Sequence, residues 1–330
     1  MVSTLYRAGV CLTKCIALGV LLNSPLCFAE QTHFSRDSDT SNVHYEYQWL
    51  DDQRQAQSLS FSLSLDDIAM LPTVQRNYQP SVAQRHIIVS LYRHARTYDP
   101  REVKIDIKPQ GEAISIGVAS RYPEKIPVFE REMREHERTA REEYLYKNYY
   151  EQYRTRLNEK AIKPDHQRYV SESTRALIPL SQALYEKLDA SSDAREYIDL
   201  MLGWLQTIPY STLTDRVTTN GSGFLPPITL LNSNKGDSDS KTVLAASIIR
   251  AFLPNVPMRM VFLRNHALLG VNLTVGPGDE SIVIDGLSYV LLEPTGPQMP
   301  LGEVGEQSYL AIRQGAFTTQ AVAPANITTN

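Results

Sequence analysis

The sequence predicts an α+β protein with a small N-terminal antiparallel β domain, a long charged helix and a C-terminal α+β domain. Three observations support this fold class. Residues 44–118 contain short segments in which apolar and polar residues alternate, as in half-buried strands. Residues 129–163 are rich in Glu and Arg and lack Gly and Pro, which favours helix. Residues 204–305 then mix helical and strand-like segments.

The first 29 residues are typical of a secretory signal. Arg7 and Lys14 are basic, residues 15–22 are all apolar or glycine, and Ala29 offers a small residue at a cleavage site. The alternative is a retained membrane anchor, but the apolar run falls short of the ~20 residues that span a bilayer. A lipid-anchored form is disfavoured because Cys27 follows Leu26 rather than a small residue. We expect an exported protein, periplasmic or secreted, with no transmembrane segment after cleavage.

Removal of the signal changes both the cysteine content and the charge. All three cysteines, Cys11, Cys15 and Cys27, lie in residues 1–29. We therefore expect no disulfide, no thiolate nucleophile and no cysteine metal site in the exported chain. It would carry 31 basic and 37 acidic residues, for a net charge of −6. This balance argues against nucleic-acid binding, which favours a basic surface. No motif suggests a cofactor or a bound metal.

The N-terminal part of the exported chain is predicted in two pieces. Residues 30–43 are polar and rich in Ser and Asp, which indicates a flexible leader. Residues 44–122 form the small β domain. Its predicted strands cover residues 45–49, 59–65, 87–92, 103–107 and 113–118.

A helical connector is predicted for residues 123–190. Apolar and aromatic residues recur at helical spacing through residues 129–163, and Pro164 ends that segment. A solvated helix that links two domains explains this pattern, and a dimerising coiled coil is the alternative. The apolar stripe is too irregular for strict heptads, which favours the linking helix. A further helix is predicted for residues 172–188.

The remaining chain is predicted to form a domain over residues 191–316 and a flexible tail over residues 317–330. Helices are expected at residues 194–207 and from the Gly-Asp-Ser-Asp-Ser-Lys segment at residues 236–241 to residue 252. A strand over residues 258–264 leads to Asn-His-Ala-Leu-Leu-Gly-Val at residues 265–271. A last strand ends in Leu-Leu-Glu-Pro-Thr-Gly-Pro at residues 291–297.

This order of motifs resembles the bacterial transglutaminase-like superfamily, which has a papain-like core. In that family a Gly-Asp-Cys-Asp turn opens a helix, a His-Ala pair begins a strand, and an acidic residue precedes Pro-Thr. The resemblance covers about 100 residues. It implies that Ser238 occupies the position of the nucleophilic cysteine, His266 that of the base, and Glu293 that of the third, orienting residue. It also implies a cleft that takes a peptide, a protein or a cell-wall component.

The chemistry of such a site explains the pattern. Unpaired N–H groups at a helix N-terminus create a positive field that, with a nearby imidazole, lowers the pKa of a cysteine. The same N–H groups stabilise an oxyanion, and a carboxylate beyond the imidazole fixes its tautomer. A serine at position 238 is far less acidic than a thiol, so His266 would have to remove its proton during the reaction.

Three interpretations of Ser238 therefore stay open. The domain is a catalytically degenerate binding module, or a working Ser-His-Glu hydrolase or acyltransferase, or the serine reflects an engineered substitution or a misaligned motif. A structural or assembly role in the cell envelope, with the domain as scaffold, is a further hypothesis. The degenerate binding module is the interpretation that we favour.

Other polar residues have simpler interpretations. Asp237 and Asp239 flank the nucleophile position and are predicted to stabilise the first helical turn. Asp285, before Gly286, is predicted to form a hairpin turn rather than to serve as the third residue. Gln206 is a candidate oxyanion donor, by analogy with papain-like enzymes. The remaining histidines are predicted to be structural or surface residues: His33, His44, His86, His94, His136 and His166.

Overall fold

The computed structural model describes residues 30–214 and 223–325. The predicted signal, residues 1–29, lies outside the described residues. Helices account for 37% and strands for 28%, so the α+β class is confirmed. Among the described helices, none combines the length and the apolar character needed to cross a membrane.

The N-terminal sheet has three antiparallel strands in the order β1-β2-β3: β1 Glu30–Ser38, β2 Asn42–Leu50 and β3 Ala56–Ser64. The predicted flexible leader was wrong, since most of it is β1. Its sequence is polar because β1 is an edge strand with largely exposed side chains. Its order comes from backbone pairing with β2 and from Phe34, which lies 4.9 Å from the ring of Tyr47.

A second group of elements begins with a short helix, α1 Leu65–Ala69, and continues with α2 Pro80–Ala95, a hairpin of β4 Val103–Gln110 and β5 Ala113–Ser120, and α3 Ile126–Lys147. The predicted strand at residues 87–92 is instead part of α2. Its buried residues are Ala83, Ile87 and Leu91, four apart on one helical face. The predicted strands at residues 103–107 and 113–118 are confirmed as β4 and β5.

The predicted helix over residues 129–163 was wrong in its second half. Helix α3 ends at Lys147, Tyr149 adopts a left-handed backbone with φ of 56°, and a hairpin of β6 Tyr150–Arg154 and β7 Lys160–Pro164 follows. In α3 itself, Met133 and Ala140 are buried in the core of the α2, β4, β5 and α3 group. The apolar stripe that suggested a linking helix or a coiled coil therefore packs within the chain.

Shorter helices follow the hairpin. They are α4 His166–Ser173, α5 Ile178–Tyr185, α6 Ala194–Leu205, α7 Pro227–Ser233 and α8 Ser238–Phe252. The helix predicted at residues 172–188 is divided between α4, a 3₁₀ turn at Arg175–Leu177 and α5, because Pro179 fits only the first turn of a new helix. The helices predicted at residues 194–207 and at 238–252 are confirmed.

A five-stranded antiparallel sheet completes the chain, with the order β10-β11-β9-β8-β12. The strands are β8 Met258–Phe262, β9 Ala267–Val271, β10 Ser281–Ile284, β11 Leu287–Leu292 and β12 Thr318–Val322, with α9 Glu306–Arg313 before β12. The predicted flexible tail was wrong in its first part, because β12 pairs with β8 along its whole length. Asp285 and Gly286 both have positive φ in the tight β10–β11 turn, as their sequence predicts.

Three hydrophobic clusters divide the protein differently from the predicted domains, and one of them lies among β8, β9, β10, β11 and α9. Tyr45, Tyr47 and Trp49 of β2 are buried in one large cluster with α6 and α8, where the Tyr47 ring meets Trp204 edge-on at 5.2 Å. The group of α2, β4, β5 and α3 has its own smaller core. The predicted β domain of residues 44–122 is thus split between the large cluster and this smaller core, and the N-terminal sheet packs on the part of the chain that carries the candidate site.

Candidate active-site cleft

Ser238 is the first residue of α8, the position that the sequence motif predicts. Asp237 is the N-cap, and its carboxylate accepts a hydrogen bond from the backbone N–H of Ser240 at 3.0 Å. Asp239 adds a second carboxylate in the first turn. These acidic groups stabilise the helix start, where backbone N–H groups point outward. Ser238 is thereby held in the field of the helix N-terminus.

His266 and Glu293 form a close pair at the ends of neighbouring strands. His266 immediately precedes β9, Glu293 immediately follows β11, and these two strands pair. The imidazole Nε2 lies 2.8 Å from Oε1 of Glu293. The other carboxylate oxygen, Oε2, accepts a hydrogen bond from the backbone N–H of Gly305 at 2.9 Å. Since Nε2 is occupied by Glu293, Nδ1 is the ring nitrogen left for a group in the cleft.

The charge of Glu293 is stabilised by its partners. Burial acts to raise the pKa of this carboxyl, but the hydrogen bonds from His266 and Gly305 outweigh burial and hold the pKa below its usual value. Glu293 is therefore an anion at neutral pH. A buried anion hydrogen-bonded to a histidine orients the imidazole and favours its N–H on Nε2.

A cleft of about 810 Å³ joins the nucleophile position to the base position. Ser238 and His266 both line it, whereas Glu293 lies behind His266 and does not. The β6–β7 hairpin forms one wall, including Tyr153 and Leu157. Tyr210, which is 55% exposed, lies in another wall. Two of the three sequence-predicted triad positions therefore line one open cavity, and the third contacts the base from outside it.

The hydroxyl of Ser238 is not hydrogen-bonded to the candidate base His266. Its hydrogen-bond partner is Oδ1 of Asp239, at 3.5 Å, and not an imidazole nitrogen of His266. Ser238 is also only 4% exposed. A general base must lie within hydrogen-bond reach of the proton that it removes, about 2.6–3.2 Å between heavy atoms. Ser238 and His266 thus share a cleft without forming a nucleophile–base pair in this structure.

The two aspartates beside Ser238 hold their protons more tightly than usual. Burial, together with the neighbouring Asp239, raises the pKa of Asp237 to about 7. Burial likewise raises the pKa of Asp239, although Lys163, His266 and Ser238 oppose the shift. The nucleophile end of the cleft therefore carries less negative charge at neutral pH than its two carboxyls suggest.

His166 lies close to Asp239 but outside the cleft lining, and its burial agrees with the prediction of a structural residue. It is fully buried at the start of α4, its ring stacks on Phe262 at 5.6 Å, and its Nε2 lies 3.6 Å from Oδ2 of Asp239. Neither ring nitrogen has a hydrogen-bond partner among the described residues. Burial and the nearby Lys163 hold its pKa well below the usual value, so His166 is neutral. No local pattern connects His166 with Asp239, which is distant in sequence.

Gln206 does not serve as an oxyanion donor in this arrangement. Its side-chain Nε2 donates to the backbone carbonyls of Glu293 at 3.1 Å and Met299 at 2.8 Å, and its Oε1 accepts from the Met299 N–H at 3.0 Å. Both amide hydrogens are therefore used to tie the end of α6 to the turn after β11. The prediction from papain-like enzymes was wrong for this residue, which lies outside the cleft.

The described ranges, 30–214 and 223–325, contain no group of three or more His, Cys, Asp or Glu side chains that could hold a metal ion. The other five histidines lie outside the cleft lining. Among them, the rings of His94 and His136 stack at 4.2 Å between α2 and α3.

Comparison of the chain with protein-family models, with curated proteins and with solved structures gave no match.

Proposed function

We propose that this chain is an exported binding protein with a transglutaminase-like, papain-like domain that holds a peptide or protein segment in its cleft without cleaving it. The proposal rests on the burial and the hydrogen bonding of Ser238. Ser238 occupies the motif position for a cysteine, is nearly buried, and is hydrogen-bonded to Asp239 instead of His266. The cleft remains open at 810 Å³, which is enough for several residues of an extended peptide.

Export belongs to the proposal because of the signal-like residues 1–29. A periplasmic or secreted location agrees with a chain whose cysteines all lie in that segment. The role as a peptide- or cell-wall-binding module rests on the cleft. A purely structural role in the envelope would give no reason for Ser238 and His266 to line one cavity with Glu293 bound to His266, so this arrangement favours a binding role.

The second candidate is an active Ser-His-Glu hydrolase or acyltransferase. One observation favours it: the base side is complete, with the 2.8 Å contact between His266 and Glu293 and a Glu293 pKa held low. A rotation of the Ser238 side chain toward Nδ1 of His266 would be required before proton transfer. The hydroxyl would also have to leave Asp239.

Labelling separates the two candidates. The protein is incubated with a fluorophosphonate probe between pH 6 and 9, and intact mass spectrometry measures covalent adducts on the wild type and on Ser238→Ala. We expect no adduct on Ser238, since its hydroxyl is not activated. Labelling of the wild type that is lost in both Ser238→Ala and His266→Ala would overturn the non-catalytic proposal in favour of the hydrolase.

Binding in the cleft is tested with a matched pair of exposed tyrosines. Tyr210 lines the cleft and is 55% exposed, whereas Tyr185 lies outside it and is 54% exposed. Binding of acetylated, amidated hexapeptides is measured by calorimetry. Truncation of an aromatic anchor costs a factor of about 10 or more in affinity, so Tyr210→Ala should weaken binding to that extent and Tyr185→Ala should leave it unchanged. Equal losses in the two variants would contradict a binding site in this cleft.

A further inference from the structure

Two arginines of the cleft lining, Arg156 and Arg264, form no ion pair or hydrogen bond with another described residue. Arg156 lies in the turn of the β6–β7 hairpin, and Arg264 lies between β8 and β9, two residues before His266. Both are exposed. Lys163 lines the same cavity but is engaged, since its ammonium donates to Gln320 at 2.7 Å and lies 3.2 Å from Glu151. Among the described residues that line the cleft, these two guanidinium groups are therefore the cations left to bind a ligand.

The hairpin that carries Arg156 is fixed at its base. Gln320 of β12 accepts from Lys163 through Oε1 and donates to Glu151 through Nε2 at 2.9 Å, which joins both hairpin strands to the five-stranded sheet. Lys163 also lies 3.7 Å above the ring centre of Phe262. A base held in this way presents the hairpin turn to the cleft. At the turn, Leu157 is 81% exposed, so an apolar side chain stands next to a free guanidinium group.

The charge around the cleft decides what these arginines can attract. Glu159 is the acidic residue of the hairpin wall and is exposed, while Asp237 and Asp239 lie on the floor with raised pKa values. The full chain is acidic, with a net charge of −4. Its overall field therefore repels anions, and an anionic ligand must gain its affinity from short-range contacts with specific cations. Arg156 and Arg264 are placed to provide them, because a guanidinium group binds a carboxylate through two parallel hydrogen bonds.

We propose that Arg156 and Arg264 recognise a carboxylate of the peptide that occupies the cleft, with Leu157 contacting an apolar side chain beside it. The inference rests on the proposed function, because it assigns a ligand class to the same cleft. The carboxylate comes from an acidic side chain or from the C-terminus of the peptide. Glu159 opposes this recognition and limits its strength.

Calorimetry with three unlabelled, acetylated hexapeptides distinguishes these sources. The first is Ala-Leu-Glu-Ala-Leu-Glu with an amidated C-terminus, the second replaces both Glu by Gln, and the third is the Gln peptide with a free C-terminus. An exposed charge pair contributes up to about 1 kcal/mol, or a factor of about 5. We expect a carboxylate-bearing peptide to bind about 5-fold more tightly than the neutral one. Tighter binding of the first peptide would show that the site recognises side-chain carboxylates. Tighter binding of the third peptide would show that it recognises the C-terminal carboxylate.

Variants then test the residues. Arg156→Gln and Arg264→Gln should each lower the affinity for the preferred peptide by about 2- to 5-fold and leave the affinity for the neutral peptide unchanged. Glu159→Gln should raise the affinity for the preferred peptide by about 2-fold, since it removes a negative charge that repels the carboxylate of the peptide. Arg85→Gln, an exposed arginine of α2 outside the cleft, is the control and should change nothing.

The possible failures have different meanings. Equal affinity of all three peptides overturns the carboxylate inference and leaves the binding cleft standing. A carboxylate preference that survives both arginine substitutions overturns the assignment to Arg156 and Arg264. Absence of binding by all three peptides overturns the proposed function, and this inference with it.

Discussion

The two sides of the cleft differ in how well their polar groups are partnered. On the base side, His266 and Glu293 lie 2.8 Å apart, and the second Glu293 oxygen is bound by Gly305 at 2.9 Å. On the nucleophile side, Ser238 reaches Asp239 only at 3.5 Å. There the neighbouring His166 has both ring nitrogens without hydrogen-bond partners among the described residues.

The difference indicates which side of the cleft is preorganised. A charged hydrogen-bonded pair fixes the orientation of the imidazole at a strand end, as a catalytic base requires. The nucleophile side has the right helix position, but the 3.5 Å contact of the Ser238 hydroxyl is too long to direct a proton. The base side is therefore preorganised for proton transfer, whereas the Ser238 hydroxyl is not. Four predictions test this contrast, from the largest expected effect to the smallest.

The largest effect should come from restoring the thiol with Ser238→Cys in residues 30–330. The helix N-terminus and His266 should lower the pKa of this cysteine and raise its alkylation rate by iodoacetamide at pH 6 about 10-fold or more above that of a free cysteine. The rate is measured by quenching the alkylation at set times and determining the modified fraction by mass spectrometry. No other cysteine competes, because the natural ones lie in residues 1–29.

Two further variants show whether the base side acts on that thiol. Adding His266→Ala should abolish most of the enhancement. Adding Asp239→Asn should increase it, since a neighbouring carboxylate opposes thiolate formation. An alkylation rate equal to that of a free cysteine in all three proteins would mean that the base side is not aligned with position 238.

A pair of carboxylate truncations compares the stability of the two sides. Glu293→Ala leaves His266 and the Gly305 N–H without their partner and should lower the free energy of unfolding by about 3 kcal/mol. Asp239→Ala removes only long contacts and should cost less than about 1 kcal/mol. Urea unfolding at pH 7 measures both values, and Glu293→Gln is the control that keeps the shape. A larger loss for Asp239→Ala than for Glu293→Ala would reverse the comparison.

Replacing His166 by Leu should stabilise the protein by about 1 kcal/mol at pH 7, because two buried unpartnered nitrogens are removed between Phe224 and Phe262. The pKa of His166 is lowered in the folded state, so the unfolded chain binds more protons below about pH 6.5. The wild type therefore loses stability as the pH falls through this range, and His166→Leu lacks that loss. Its advantage in urea unfolding should grow by up to about 2 kcal/mol at pH 5.

At pH 4 the smallest effect is expected for Asp237→Asn, because its amide oxygen can still cap α8 and Asp237 is protonated at that pH. Burial and Asp239 raise the pKa of Asp237 to about 7, above its value in the unfolded chain. Asp237 therefore stabilises the fold below about pH 4, and this contribution decreases as the pH rises to about 7. The variant should lack that component, so its stability relative to wild type should increase between pH 4 and pH 7. A constant difference measured by urea unfolding at both pH values would show that Asp237 ionises normally.

Much of the site could be predicted from sequence because its signals are local. The N-cap Asp237, the helical spacing after Ser238 and the Asp285–Gly286 turn each act within a few residues. These signals placed α8, β8 and β11 correctly. The family resemblance, rather than a local signal, predicted that Ser238 and His266 lie in one cleft. The contact between His166 and Asp239 could not be predicted in this way, because the two residues lie far apart along the chain.

Three of the segments that were predicted wrongly share one property. β1, the β6–β7 hairpin and β12 lie at the edges or outside of the cores, and their sequences carry too few buried residues for a clear pattern. β1 and β12 are ordered by backbone hydrogen bonds to β2 and β8. An edge strand depends on its neighbour rather than on its own side chains, so its sequence resembles a loop or a tail.

The sequence by itself determined the α+β class, the helix that begins at Ser238 and the identity of the residues at the two ends of the cleft. Only the tertiary structure decided that Gln206 is hydrogen-bonded to Met299 and Glu293, and that the β6–β7 hairpin forms a wall of the cleft. Caps, turns and helical periodicity are set by interactions between near neighbours. The direction of a hydroxyl or an amide depends on which distant groups the packed chain brings within about 3 Å.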